Sequence, residues 1–204
     1  MKLLGLVLAG GRSQRMGGGD KGVRLLGERP ILDRVIERLK PQVEAVVLNA
    51  NGDPSRFARF SLPVVADGIE GFAGPLAGVL AGLDWAAENR PDCAAVLSVA
   101  SDAPFFPLDL AVRLEEALAR DHADVACAAS GGRAQPVFAV WPLYLRADLR
   151  QAVAREGIRK VDIFTARHTR ALVPFAIREA DPFFNVNRPE DLVAAEELLA
   201  RFSL

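Results

Sequence analysis

The chain has 204 residues, half of them hydrophobic, and a formal net charge of −1. This length fits one domain with a sizeable core, and the near-zero charge excludes the overall basic field of many nucleic-acid-binding proteins. Two cysteines are too few for a disulfide framework, and the apolar N-terminus is too short to span a membrane. We therefore expect a single cytoplasmic domain, residues 1–204, that binds neither nucleic acid nor membranes.

Short apolar runs alternate with amphipathic stretches, which predicts an α/β fold with a mostly parallel central sheet. The predicted strands cover residues 3–8, 45–48, 63–66, 94–99, 123–128, 137–140 and 171–173. The predicted helices lie within residues 31–39, 74–87, 107–119, 145–155, 161–167 and 189–202. Because Gly131 and Gly132 separate two strands, we expect a hairpin or a mobile loop at residues 130–133.

The segment LAGGRSQRMGGGDK, residues 8–21, follows the first predicted strand. Its glycines allow positive φ angles and a close approach of the backbone to a ligand, and successive inward N–H groups bind anions. Arg12, Arg15 and Lys21 add charge-assisted contacts to phosphate oxygens. The spacing is neither that of a P-loop nor that of a dinucleotide-binding fingerprint. The segment predicts a phosphate-binding loop; the alternative is a flexible turn with solvated charges.

Further motifs follow this loop in a fixed order along nearly the whole chain. They are Asn49-Ala50-Asn51, Asp67, Gly74-Pro75-Leu76-Ala77-Gly78, Ser101-Asp102-Ala103-Pro104, Gln135-Pro136-Val137 and Asn185-Val186-Asn187-Arg188-Pro189-Glu190. Each motif is weakly specific by itself. As an ordered set with the loop, they closely resemble the molybdenum cofactor guanylyltransferase (MobA) family of nucleotidyltransferases.

The resemblance implies a Rossmann-like three-layer sandwich, as in nucleotide-diphospho-sugar transferases. It implies transfer of GMP from GTP to molybdopterin with release of pyrophosphate, and transient partners that supply or accept the molybdenum cofactor. The positions that it assigns to nucleotide binding are Leu8, Ala9, Gly10, Gly11, Lys21, Asn49, Asp67 and Asp102. Asp102 would also bind Mg²⁺.

The chemistry of such a transfer explains these residue types. The attacking phosphate and the attacked phosphate are both anionic. The rate therefore depends mainly on positioning them and on neutralising their charge. We expect Lys21 and Arg15 to neutralise the phosphates, and Asp102 to hold Mg²⁺, which prefers few carboxylates. The alternatives are a surface ion pair between Lys21 and Asp20 and a helix N-cap role for Asp102.

The remaining candidates concern the nucleoside and the second substrate. We expect Asn49 and Asp67 to recognise base and ribose, unless they are Asx-type turn residues. Gly78 belongs to a loop that would admit the nucleotide close to its backbone, unless this is a plain loop before a helix. Gln135, Asn185 and Asn187 are candidates for the pterin side, although the two asparagines alternatively cap the last helix.

Three other functions remain open. A CTP-dependent molybdopterin cytidylyltransferase would share the scaffold, but such relatives tend to have Leu-Ala-Ala-Gly where this chain has Leu8-Ala9-Gly10-Gly11. Sugar-phosphate nucleotidyltransferases are usually longer and lack the Asn-Val-Asn motif. A non-catalytic cofactor-binding chaperone would not need Lys21 and Asp102.

Overall fold

The computed structural model describes residues 1–9, 21–69, 71 and 74–202, without the side chains of Lys21 and Phe202. Most of the predicted phosphate-binding loop, including Gly10, Gly11 and Arg15, lies outside the described residues. Among the described residues, no helix is both long and apolar enough to cross a membrane.

The described strands form one seven-stranded sheet and a short two-stranded ribbon. The strands are β1 (Leu3–Leu8), β2 (Leu25–Leu26), β3 (Arg29–Pro30), β4 (Ala45–Asn49), β5 (Val64–Val65), β6 (Ala95–Ala100), β7 (Val125–Ser130), β8 (Arg133–Pro142) and β9 (Arg170–Phe175). The main sheet has the order β5-β4-β1-β6-β8-β7-β9. Only β8 runs antiparallel to its neighbours, so the predicted mostly parallel sheet is confirmed.

Helices cover both faces of this sheet. They are α1 (Ile31–Leu39), α2 (Pro75–Asn89), α3 (Leu110–Arg120), α4 (Arg146–Ala154), α5 (Val161–Thr165) and α6 (Pro189–Phe202). Residues of α1, α3 and α6 belong to one core cluster, and residues of α2, α4 and α5 belong to a second. The helix periodicity explains this: in α1, all the apolar positions that recur at helical spacing are buried. The predicted three-layer architecture is therefore confirmed.

The hairpin predicted at residues 130–133 connects β7 to β8. Gly131 and Gly132 have φ angles of 53° and 74°. A two-residue hairpin turn with positive φ at both central positions suits glycine, because a side chain there is strained.

Several features were not predicted or differ in extent. The helix expected from residue 107 begins at Leu110, because residues 107–109 form a turn closed by a hydrogen bond from Leu110 N to Pro107 O (3.3 Å). Strand β8 is longer than expected. The ribbon of β2 and β3 and the four 3₁₀ helices found among the described residues were not predicted, because each is short and lacks a clear period. The 3₁₀ helices are Lys21–Val23, Lys40–Gln42, Pro54–Phe60 and Leu143–Leu145.

Both cysteines are buried and free. Burial raises the pKa of the Cys127 thiol to about 11 and also raises the pKa of Cys93. The thiolate is the reactive form of cysteine, so neither residue has the environment of a nucleophile.

The buried hydroxyl of Ser98 joins strand β6 to the antiparallel strand β8. Ser98 on β6 is fully buried, and its Oγ donates to Val137 O (2.5 Å) on the antiparallel strand β8. The same Oγ accepts a hydrogen bond from Trp141 Nε1 (2.9 Å), and Trp141 is also fully buried. The hydroxyl thus satisfies a donor and an acceptor where water has no access.

We predict that Ser98→Ala lowers the free energy of unfolding by about 1–3 kcal/mol, because the Trp141 N–H loses its buried partner. Thermal denaturation followed by circular dichroism measures this change. Ser55→Ala is the control, because Ser55 is exposed. Equal melting temperatures for Ser98→Ala and Ser55→Ala would contradict the prediction.

Candidate functional site

The carboxyl ends of β4, β1 and β6 lie side by side in register. Leu8 is the partner of Asn49 on one side and of Ala100 on the other. Two backbone hydrogen bonds extend the pairing past the strand ends: Ala9 N donates to Asn49 O (2.9 Å), and Ser101 N donates to Leu8 O (3.2 Å). The structure therefore brings together Leu8, Ala9, Asn49 and the Ser101-Asp102 pair at one edge of the sheet, where open α/β sheets bind ligands.

A network of amide and carboxylate groups extends this row to β5. Asn49 is 3% exposed, and its Nδ2 donates to Val65 O (3.1 Å) and to Asp67 Oδ1 (3.0 Å). Asn51 Nδ2 donates to Asp67 Oδ2 (2.7 Å), and Asn51 Oδ1 accepts from Asp67 N (2.8 Å). These bonds join residues 16 or more positions apart, so the described side-chain hydrogen bonds of Asn49 and Asp67 are long-range, unlike those of an Asx turn.

Gly78 lies against the buried asparagine. A Cβ added to Gly78 would come within 2.3 Å of Asn49 Oδ1 and 2.7 Å of Leu8 Cδ2. Such distances are far below van der Waals contact, so α2 approaches the strand ends only because this position has no side chain. Gly78 lies inside α2 rather than in the loop before it.

Asp102 follows the end of β6 and is half-buried. Helix α3 begins only at Leu110, with Asp109 before it, so the N-cap alternative for Asp102 is wrong. The backbone oxygen of Asp102 accepts a hydrogen bond from Val186 N (2.8 Å). This bond holds the segment of Asn185 and Asn187 beside Asp102, although 83 residues or more separate them in the chain.

Helix α6 is capped by an acidic side chain of its own first turn. Asp191 Oδ2 accepts from Asn187 N and Arg188 N, both at 2.8 Å. This is the reverse half of a capping box. The cap contacts described here therefore come from Asp191, and the sequence interpretation missed this residue.

Gln135 joins the same region through a short polar chain. Gln135 Nε2 donates to Ser130 Oγ (3.0 Å), and Ser130 Oγ donates to Asp181 Oδ2 (3.0 Å). Asp181 Oδ1 accepts from Phe183 N (2.9 Å). These hydrogen bonds fix residues 181–183 against the β7–β8 hairpin. Residue 183 is two positions before Asn185.

The backbone after the predicted loop returns to the strand ends. Lys21 begins a 3₁₀ helix, and a Cβ on the next residue, Gly22, would lie 3.4 Å from Ser101 O. The Lys21 backbone is therefore next to the Ser101-Asp102 pair. Gly10, Gly11 and Arg15 lie outside the described residues.

The side chains at this edge of the sheet suit a hard cation that takes few of its ligands from the protein. Across residues 1–9, 21–69, 71 and 74–202, no three His, Cys, Asp or Glu side chains form a group that could hold a metal. A single carboxylate such as Asp102, supplemented by water and substrate phosphate, is the ligand set that Mg²⁺ uses in nucleotide enzymes. Asp102 therefore fits a magnesium ion carried by a nucleotide.

Asn51 is the main residue of this network that the sequence interpretation did not assign. It occurs in the Asn49-Ala50-Asn51 motif, but a side chain two residues beyond a strand end gives no local sign of its partner. Its contact with Asp67 depends on the pairing of β4 with β5.

Residues 5–170 match the family model described as the MobA-like NTP transferase domain. The molybdenum cofactor guanylyltransferase of Rhodopseudomonas palustris (strain BisB5) is 57% identical over 198 residues, which are 97% of this chain and 94% of that protein. The protein of the same name from Bradyrhizobium sp. (strain ORS 278) is 55% identical over 196 residues, 96% of this chain and 92% of its own.

Solved structures share the fold. The molybdopterin-guanine dinucleotide biosynthesis protein A of Archaeoglobus fulgidus has a TM-score of 0.75 at 23% identity, covering 97% of this chain and 99% of that one. The 4-diphosphocytidyl-2C-methyl-D-erythritol synthase of Anaerococcus prevotii has a TM-score of 0.71 at 12% identity, covering 98% and 99%. From the matched model and the full-length relatives, the chain belongs to the MobA-like NTP transferase family.

Proposed function

We propose that this chain transfers GMP from GTP to molybdopterin, releasing pyrophosphate and forming molybdopterin guanine dinucleotide. The names of its full-length relatives support this reaction. The structural observation that carries it is the spacing of two carboxylates along one edge of the sheet. Asp67 lies just beyond β5 and Asp102 just beyond β6, with β4 and β1 between them. Three strand spacings are about 14 Å, which an extended nucleotide with its phosphates can bridge.

The end of the site at Asp67 suits guanine. An ionised carboxylate has about four lone-pair positions, and the two asparagine amides use one on each oxygen. The remaining positions can accept from both N1–H and N2–H₂ of guanine. Cytosine and adenine present an unprotonated ring nitrogen beside their amino group, which would repel the carboxylate.

Asn49 has a positioning role in this proposal. Both hydrogens of its amide are used by Val65 O and Asp67, so the side chain orients Asp67 instead of donating to the base. Asn51 braces the same carboxylate from its other side. A carboxylate fixed before the ligand arrives loses little conformational entropy on binding.

The end of the site at Asp102 would hold the reacting phosphates. Asp102 would hold Mg²⁺, which neutralises charge on phosphate oxygens when bound. A protein of the same fold, Rv0371c of Mycobacterium tuberculosis, has been solved as a complex with manganese, which supports use of a divalent ion. Lys21, Arg15, Gly10 and Gly11 complete the phosphate contacts in our proposal. Leu8 and Ala9, at the end of β1, belong to the same nucleotide-binding segment in our proposal.

The reaction is an in-line substitution at the α-phosphorus of GTP. An oxygen of the molybdopterin phosphate forms the new bond to this phosphorus, and the bond to the bridging oxygen of pyrophosphate breaks. Asn185, Asn187 and Gln135 lie on segments held next to Asp102 or to the hairpin, and we assign them to the molybdopterin side. Proteins that deliver or accept the molybdenum cofactor would be transient partners on this side.

The fold alone does not decide the nucleotide, because a protein named for a diphosphocytidyl product has the same fold. The decisive experiment supplies Mg²⁺ and molybdopterin with each of the four nucleoside triphosphates and measures pyrophosphate release. We expect release with GTP only. Release with CTP would identify a cytidylyltransferase, and pterin binding without release from any nucleotide would identify a chaperone.

We predict that Asp67→Asn reduces the discrimination between GTP and ITP. Inosine lacks the 2-amino group, so the wild-type protein should prefer GTP by about tenfold, the usual worth of one charge-assisted hydrogen bond. In Asp67→Asn the two kcat/KM values should approach each other, chiefly through loss with GTP. The control is Asp53→Asn, an exposed carboxylate that caps a 3₁₀ helix. A preference for GTP that survives in Asp67→Asn would exclude the contact.

Two glycines on one face of α2 provide a matched pair of variants. A Cβ on Gly78 meets Asn49 Oδ1, whereas a Cβ on Gly82, one turn later, meets Leu6 Cδ2 at 2.5 Å. Both Gly78→Ala and Gly82→Ala should lose stability through overpacking, by about 1–3 kcal/mol. Only Gly78→Ala should also raise the KM for GTP, because it displaces the residue that orients Asp67. Equal KM values in the two folded variants would refute this.

A further inference from the structure

A cavity of about 410 Å³ lies between α1, the loop after β6, the first turns of α3 and residues 175–182. This volume is within the range of small-molecule sites. None of its described lining residues is among those assigned above to nucleotide, metal or pterin. The reaction proposed above therefore leaves this cavity without a role.

Arg38 provides the strongest indication of a ligand. Its side chain is half-buried in the cavity wall, and its Nε donates to Phe106 O (2.7 Å). Among the described residues, none bonds to its two terminal nitrogens or lies within ion-pair distance. Burial lowers the pKa of Arg38, because the guanidinium loses hydration and the charge of Glu37 offsets this loss only in part. Two parallel N–H donors remain, which is the geometry that binds a carboxylate in a bidentate manner.

Three other charges of the cavity lining, Arg113, Asp109 and Asp181, already have partners in the protein. Arg113 lies 3.7 Å from Asp109 and donates to Pro174 O (2.6 Å). Both oxygens of Asp181 accept hydrogen bonds from the protein. Arg178 and Glu179 are adjacent in sequence, and the lining contains three arginines and three carboxylates in all. A ligand with one negative charge suits Arg38, whereas a phosphate dianion would be repelled by the acidic groups.

The walls favour a flat apolar body. Phe105 lies half-buried in the lining. Phe175 is 4% exposed, and the guanidinium of Arg113 lies 3.9 Å from its ring centroid. Proline and alanine side chains form much of the remaining wall. Aromatic rings pack against phenylalanine in offset or edge-to-face arrangements.

We propose that this cavity is a second ligand site, for a small planar monocarboxylate whose carboxylate pairs with Arg38 and whose ring packs on Phe105. The same cavity wall continues through residues 181–183 to Val186, which bonds to Asp102. The second site therefore shares a segment of chain with the wall of the site proposed for transfer.

Calorimetric titration of the full chain with 2-naphthoate, and separately with the neutral 2-naphthamide, tests the proposal. We expect one saturable site for naphthoate and at least about tenfold weaker binding of the amide, because only the anion satisfies the arginine. Arg38→Gln should bind naphthoate as weakly as the wild-type protein binds the amide. Arg150→Gln is the control, because Arg150 is on α4 and pairs with Asp84.

Equal binding of naphthoate and naphthamide, or no binding of naphthoate, would overturn the proposal. So would undiminished binding of naphthoate by folded Arg38→Gln. The comparison of the two ligands needs no substitution, so a folding defect in the variant does not affect it. No nucleotide or pterin is present, so the outcome is independent of the proposed transfer reaction.

Discussion

The hydrogen-bonded register of β1 between β4 and β6 is the constraint on which the site depends. Leu8 is opposite Asn49 and Ala100, and backbone bonds continue this pairing to Ala9 and Ser101. A shift by one residue would move a strand end by about 3.3 Å and turn its side chains to the opposite face. Because β1 is buried on both faces, such a shift is strongly disfavoured, and the polar groups beyond the strand ends stay aligned.

Helix α2 packs closely against one side of the sheet at this edge. Helix α2 approaches β1 and β4 through Gly78 and Gly82. The amide of Asn49 is buried next to α2, and its hydrogen bonds join it to β5 and Asp67. A buried polar group is stable only when its hydrogen bonds are satisfied, and Asn49 meets this condition by fixing a carboxylate. The contacts that stabilise this edge of the sheet therefore also hold the Asp67 carboxylate in position for a ligand.

Much of the fold could be predicted from sequence because its signals are local. The apolar spacing of residues 31–39 matched α1, and the Gly131-Gly132 pair marked the turn between β7 and β8. The antiparallel placement of β8 beside β6 could not be predicted, because it depends on pairing between distant segments. Ser98, buried between β6 and β8, likewise has no sequence signal, since its partners are about forty residues away.

The candidate site, like the fold, contains residues that could be predicted from sequence and residues that could not. Asn49, Asp67 and Asp102 could be found because each follows a strand and belongs to an ordered set of motifs. Asn51 could not be assigned, because its role depends on a contact with Asp67 across β4 and β5. Asp191 was missed because the sequence signal for capping pointed to the asparagines before it, whereas the carboxylate inside the first turn makes the bonds. Arg38 lies on a regular amphipathic helix, and only the tertiary structure shows that no carboxylate of the described residues lies within ion-pair distance of it.

We propose that the aligned strand ends form one extended nucleotide site between Asp67 and Asp102. A crystal structure of the protein with GTP and Mg²⁺ tests it most directly. We predict that the guanine edge contacts Asp67, that the phosphates lie beside Asp102, and that the nucleotide crosses the ends of β4 and β1. This arrangement would be wrong if the nucleotide bound away from this row of strand ends, or with its base at Asp102 and its phosphates at Asp67.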